Sequence, residues 1–127
     1  MTEARLEATF QALRELLVPF VSQLELEADD AAEYSLDTPH IQSNRKRLFF
    51  GAVRQASRYV SYHLMPVYTD PDLLDGISPQ LRKRMQGKSC FNLREPDREL
   101  IDELRELTAS AFERYREKGY LEPRPLT

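Results

Sequence analysis

Leu6, Phe10, Leu13 and Leu17 recur at intervals of four, three and four, with Glu3, Glu7, Arg14 and Glu15 on other faces. That spacing predicts an amphipathic helix over residues 3–18, which Pro19 ends or bends. Leu24-Glu25-Leu26-Glu27 then alternates with period two and reads as a short strand, and the acidic stretch from Asp29 to Glu33 reads as a solvated turn. Tyr34-Ser35-Leu36 is a second brief strand ahead of a loop at Asp37-Thr38-Pro39-His40. The apolar run Leu48–Val53 and the segment Tyr59–Met65 are separated by a short polar interval, which predicts an antiparallel hairpin.

Residues 66–75 read as loop, with one helical turn at Asp72-Leu73-Leu74. Ser78-Pro79 is a helix start, with serine as N-cap and proline at the first helical position. That short helix runs to Gln86 and places Gly87 where a left-handed residue closes a helix, with Arg82, Lys83 and Arg84 answering the dipole. Residues 88–93 return as a strand. Pro96 opens the last helix, in which Leu100, Leu104, Leu107, Ala111 and Tyr115 form an apolar stripe widened by Ile101 and Phe112. Gly119 stops it, and residues 121–127 read as a loose tail. The predicted fold is α+β: an antiparallel sheet of about five strands, with N- and C-terminal helices packed mainly on one face and a short helix before the last strand. One domain spans residues 1–120.

Composition narrows the function classes. The 127 residues are 41% hydrophobic and 31% charged, enough for one core and a wet surface. The lone Cys90 excludes an internal disulfide, and one thiol with two histidines cannot supply the ligand set of a Cys/His zinc site. The N-terminal residues mix acid and base without an apolar stretch of signal-peptide type, so a cytoplasmic protein without a membrane segment is expected. Net charge is −3, unevenly spread: residues 40–94 carry ten Lys/Arg and three Asp/Glu, and the rest carries eight and eighteen. Such asymmetry is compatible with a basic face for an anionic ligand, while the overall acidity argues against nucleic acid as a partner.

Strand alternation places Tyr59, Ser61, His63 and Met65 on one face, and Val60, Tyr62 and Leu64 on the other. In residues 88–93 it puts Lys88, Cys90 and Asn92 together, opposite Ser89, Phe91 and Leu93. If these two strands are neighbours, Cys90 and His63 meet across the pair on the face away from the helices. The favoured expectation is non-catalytic binding of a small polar or anionic ligand on that open face, by His63, Arg84, Lys88, Cys90 and Asn92, with Tyr62 included although alternation sets it opposite His63. No cofactor is assigned and no residue is assigned a catalytic role; a thiol nucleophile with an imidazole base is the alternative chemistry for Cys90 and His63. Gly87-Lys88-Ser89 lacks the earlier glycine and the strand–helix order of a phosphate-binding loop. Glu25, Glu27, Asp29 and Asp30 form the densest acidic edge, a candidate for weak cation binding without the spacing of an EF-hand. An open sheet face or edge also makes a homodimer a reasonable expectation.

The stretches Leu48–Val53, Tyr59–Tyr68 and Ile77–Asn92 resemble a group of short bacterial hypothetical proteins. More distantly they resemble the YdhG-like domains of unknown function, some described as frataxin-like iron chaperones. The resemblance covers roughly residues 34–118 and implies the same α+β architecture. For function it implies only an alternative, iron held on an acidic edge such as residues 25–33.

Overall fold

The computed structural model describes residues 2–122. Helix α1 (Thr2–Leu17) leads through a 3₁₀ segment (Val18–Gln23) into the strands β1 (Glu25–Asp29), β2 (Glu33–Ile41), β3 (Arg47–Gln55) and β4 (Val60–Leu64). A short helix α2 (Met65–Thr69), a 3₁₀ turn (Pro71–Leu74) and a one-turn helix α3 (Pro79–Arg82) follow. The chain closes with β5 (Met85–Gln86), β6 (Cys90–Leu93) and the long helix α4 (Arg98–Glu117). The sheet is antiparallel with strand order β1-β2-β3-β4-β6-β5.

The expected architecture is present, and α1 and α4 share one face of the sheet. Leu6, Phe10, Leu13 and Leu17 of α1 and Leu100, Leu104, Leu107, Ala111 and Tyr115 of α4 are all buried, in one core with Val53, Val60, Tyr62, Leu64, Phe91 and Leu93 from the strands. Removing each buried Leu, Val or Phe side chain from water contributes about 1.5–3 kcal/mol. Asp97, one residue after Pro96, caps α4 by accepting the Leu100 amide at 3.2 Å.

Three elements differ from the sequence expectation. The sheet has six strands because residues 85–86, expected at the end of a helix, form β5. Met85 pairs with Phe91 and Gln86 with Cys90, so Gly87, at φ +78°, serves a three-residue hairpin loop. The helix before it is accordingly one turn, with Ser78 accepting the Leu81 amide as its cap. Residues 37–40, expected as loop, continue β2 to Ile41; Thr38 is fully buried, and Pro39 falls where the β2–β3 pairing is interrupted, so its missing N–H breaks no ladder bond. Finally, Met65–Thr69, expected as the end of a strand and the start of a loop, forms a short helix, whereas the turn expected at Asp72–Leu74 is present within the 3₁₀ segment Pro71–Leu74.

A bulge in β3 explains its unbroken apolar run. Leu36 pairs with Gly51 and Asp37 with Phe49, leaving Phe50 as the extra residue. Gly51 and Phe50 therefore both face the helices: Phe50 is fully buried against Phe112 and Tyr115, at ring-centroid distances of 5.8 and 5.9 Å.

The C-terminal end of α4 is fastened by charge. Asp70 is buried and accepts from Arg114 at 2.7 Å and from Lys118 at 2.5 Å, while Arg114 also pairs with Asp72 at 2.8 Å. Tyr120 follows, its ring tilted by 41° to that of His40 at 4.7 Å and edge-on to Tyr115 at 5.3 Å. Leu121, expected in the tail, packs on the core; residues 123–127 lie outside the described residues.

Candidate functional site

The register settles what alternation left conditional. Strands β4 and β6 are neighbours, His63 opposite Cys90 and Ser61 opposite Asn92. On the other side of β4, His63 faces Ala52 and Ser61 faces Arg54, and β2 continues the two rows with Ser35 and Glu33. Because directly paired residues project to one side, Glu33, Arg54, Ser61 and Asn92 form one row across the sheet, and Ser35, Ala52, His63 and Cys90 form the next. Both rows lie on the face away from α1 and α4.

The side chains in these rows touch. Ser61 Oγ donates to Asn92 Oδ1 at 2.8 Å, Cys90 Sγ donates to the same oxygen at 3.4 Å, and Cys90 Sγ lies 3.6 Å from His63 Nε2. Arg54 pairs with Glu33 at 3.0 Å at the margin of the cluster. Burial pushes the Cys90 thiol above its ordinary value, against the lowering effects of the Ser61 hydroxyl and the Arg54 charge. Burial first, and Arg54 second, push His63 below the ordinary imidazole value of 6.5. The pair is therefore a neutral thiol beside a neutral imidazole at pH 7, in contrast to the thiolate–imidazolium pair of a cysteine nucleophile.

Of the residues singled out in the sequence, His63, Cys90 and Asn92 are brought together. Tyr62 is corrected: it projects into the core, is fully buried, and its hydroxyl lies 2.6 Å from Thr108 Oγ1, which itself donates to the Leu104 carbonyl. Lys88 sits in the β5–β6 turn with its ammonium 6.0 Å from the Tyr68 ring centroid. Arg84 lines a cleft of about 350 Å³ beside the start of α4, with Leu93, Arg94 and Asp97. Neither cation belongs to the polar rows. Arg54 does, and β3 continuing two residues beyond the apolar run is what carries it there; the alternation Ala52, Arg54 was the available signal.

The acidic edge is engaged with cations and backbone. Glu25 and Glu27 each lie 3.8 Å from Arg47, and Asp29 lies 3.3 Å from Arg14. Asp30 accepts the Ala32 and Glu33 amides at 2.8 and 2.9 Å, closing the β1–β2 turn. Among the described residues no three His, Cys, Asp or Glu side chains gather as a metal-binding group.

A cleft of about 730 Å³ lies elsewhere, between α1 and the β1–β2 and β3–β4 turns. Its walls are mostly alanine (Ala4, Ala8, Ala31, Ala32 and Ala56), with Glu7, Gln11 and Gln55 as polar groups. The sheet face carries a set of convergent donors and acceptors, and specificity for a polar ligand depends on such groups. No described helix is long and apolar enough to cross a membrane. Compared with protein-family models, with curated proteins and with solved structures, the chain finds no match in any of the three.

Proposed function

We propose that this chain is a non-catalytic binding protein that holds a small polar or anionic ligand on the uncovered face of its sheet. The observation that carries this reading is the convergence of Ser61, His63, Cys90 and Asn92 on that face, with the Arg54 guanidinium at its margin. A hydroxyl, an imidazole, a thiol and an amide supply both donors and acceptors, and the guanidinium supplies charge for an anion. The neutral state of Cys90 and His63 favours binding over nucleophilic chemistry.

Thermal unfolding in chelator-treated buffer, with phosphate, sulfate and citrate each added at millimolar concentration, tests the reading. A ligand at a hundred times its Kd stabilises the folded state by about 2.7 kcal/mol, an upward shift in Tm on the order of 10 °C for a chain of this length. Ser61→Ala and Asn92→Ala are expected to abolish the shift, and Lys88→Ala to leave it in place. No shift with any of the anions, or a shift that survives both substitutions on the face, contradicts the proposal.

A further inference from the structure

We infer that copies of this chain associate head to tail, the acidic β1 edge of one sheet docking on the basic β5 edge of the next. The contact uses none of the side chains of the proposed anion site. β1 and β5 are the two outer strands of the sheet. Glu25, Glu27 and Asp29 lie in the first, with Asp30 after it, and the exposed Arg82, Lys83, Arg84 and Lys88 flank the second. Among the described residues none of those four cations forms an ion pair. Arg82 donates to the Leu74 carbonyl, and Lys88 lies 6.0 Å from the Tyr68 ring centroid. On the acidic edge the guanidinium groups of Arg47 and Arg14 serve Glu25, Glu27 and Asp29 at 3.3 to 3.8 Å, and such exposed pairs contribute little. Each edge therefore keeps charge of one sign that the other can answer.

Strand direction and apolar positions fit the same contact. Every neighbouring pair in the six-stranded sheet is antiparallel, so its two outer strands run in opposite directions. A second sheet set alongside, with its helices on the same side, continues the antiparallel order across the join. Leu26, paired with Leu36, and Met85, paired with Phe91, both lie on the helix side of their edges; Leu26 is 48% exposed and Met85 is half-buried. An antiparallel join that sets Leu26 against Met85 runs Glu27 and Asp29 past Arg84 and Arg82. The Asn92 amide donates to the Arg84 carbonyl at 2.8 Å, and alternation then turns the amide and carbonyl of Met85 outward, away from β6. β1 is bulged between Leu26 and Ala28 and β5 has two residues, so the strand pairing is short and the charges decide the partner. Pairing β1 with β1, or β5 with β5, brings like charges together, so the charges select the heterologous contact over a two-fold dimer.

Sedimentation velocity of the unaltered full-length chain, at low and high salt, reads the contact directly. The expected result at about 10 mM ionic strength is association that grows with protein concentration up to about 1 mM. It is lost at about 1 M salt, as the Debye length falls from about 30 Å to about 3 Å. Arg82→Gln with Arg84→Gln, and separately Glu27→Gln with Asp29→Asn, each leave one edge intact. Each double variant alone is expected to sediment as a monomer. An equimolar mixture of the two is expected to form a one-to-one heterodimer and nothing larger, because a single matched pair of edges remains. A parent that stays monomeric at low salt, association that persists at high salt, or either variant associating like the parent overturns the proposal. So does a mixture without the heterodimer when both variants keep the parent's circular dichroism spectrum. Binding of poly-glutamate to a monomeric parent also overturns it, by assigning the basic edge to a foreign acidic chain. The anion titration reads the sheet face and not its edges, so either proposal can fail without the other.

Discussion

Environment decides what each ionisable side chain can do, and Asp70 and Cys90 show opposite outcomes. Cys90 is half-buried with weak polar neighbours, so desolvation wins and the neutral thiol persists. Asp70 is more enclosed, yet the Lys118 and Arg114 hydrogen bonds outweigh its desolvation and hold its carboxyl at about 2, against an ordinary 3.8. A depressed folded-state value means that the unfolded chain binds the proton more readily. The stabilisation from Asp70 is therefore whole above about pH 4 and is lost as pH falls toward 2. Its size is on the order of 1–2 kcal/mol after allowance for solvent screening. Asp70→Asn is expected to lower stability at neutral pH and to flatten the acid loss between pH 4 and pH 2, both measured by urea unfolding; parallel pH profiles for the two proteins would contradict the assignment. The sequence could not reveal this residue, because its partners lie 44 and 48 positions away on α4.

Elements with one strong period were legible, and those defined by a partner were not. The stripes of α1 and α4 and the alternation in β4 named nearly all of their buried residues, because each face meets the core by its own geometry. Residues 37–41 carry turn-forming Asp and Pro, and only pairing with β3 makes them strand. Likewise Met85 and Gln86 are strand because Phe91 and Cys90 stand opposite them. The alternation in β4 and β6 also gave the polar face of the candidate site, whereas Arg54 escaped because the apolar run of β3 hid where its alternation resumes beyond the bulge. Gly51 is the tight point of this arrangement. A Cβ there would lie 2.9 Å from the His63 carbonyl oxygen and within 3.3 Å of Leu64 and Leu17 side-chain carbons. The nearest obstacle is backbone, so β4 must move. Gly51→Ala is expected to cost about 1–3 kcal/mol in denaturant unfolding and to shift the His63 amide resonance; an unchanged midpoint would show that the β3–β4 spacing is looser than described.

Across the whole molecule, the meander brings part of the basic middle against the acidic first third. Arg47 and Arg54 of the basic middle pair with Glu25, Glu27 and Glu33 of the acidic first third, and Arg114 and Lys118 of α4 pair with Asp70 and Asp72. The other eight Lys/Arg of residues 40–94 make no ion pair among the described residues, and the cation at the polar rows is Arg54, paired with Glu33, in place of Arg84 and Lys88. The remaining asymmetry is between the two sides of the sheet: one filled by α1 and α4, the other presenting two polar rows. The most direct test of that division is an amide NMR titration of the metal-free, full-length protein with phosphate, sulfate and citrate. The account predicts that resonances of Ser61, His63, Cys90 and Asn92 move together with a single saturating curve for at least one anion, while those of Tyr62, Val53 and Phe91 on the helix side stay in place. Saturating shifts confined to the alanine-lined cleft or to the Arg84 cleft, or no shifts at millimolar concentration, would contradict it.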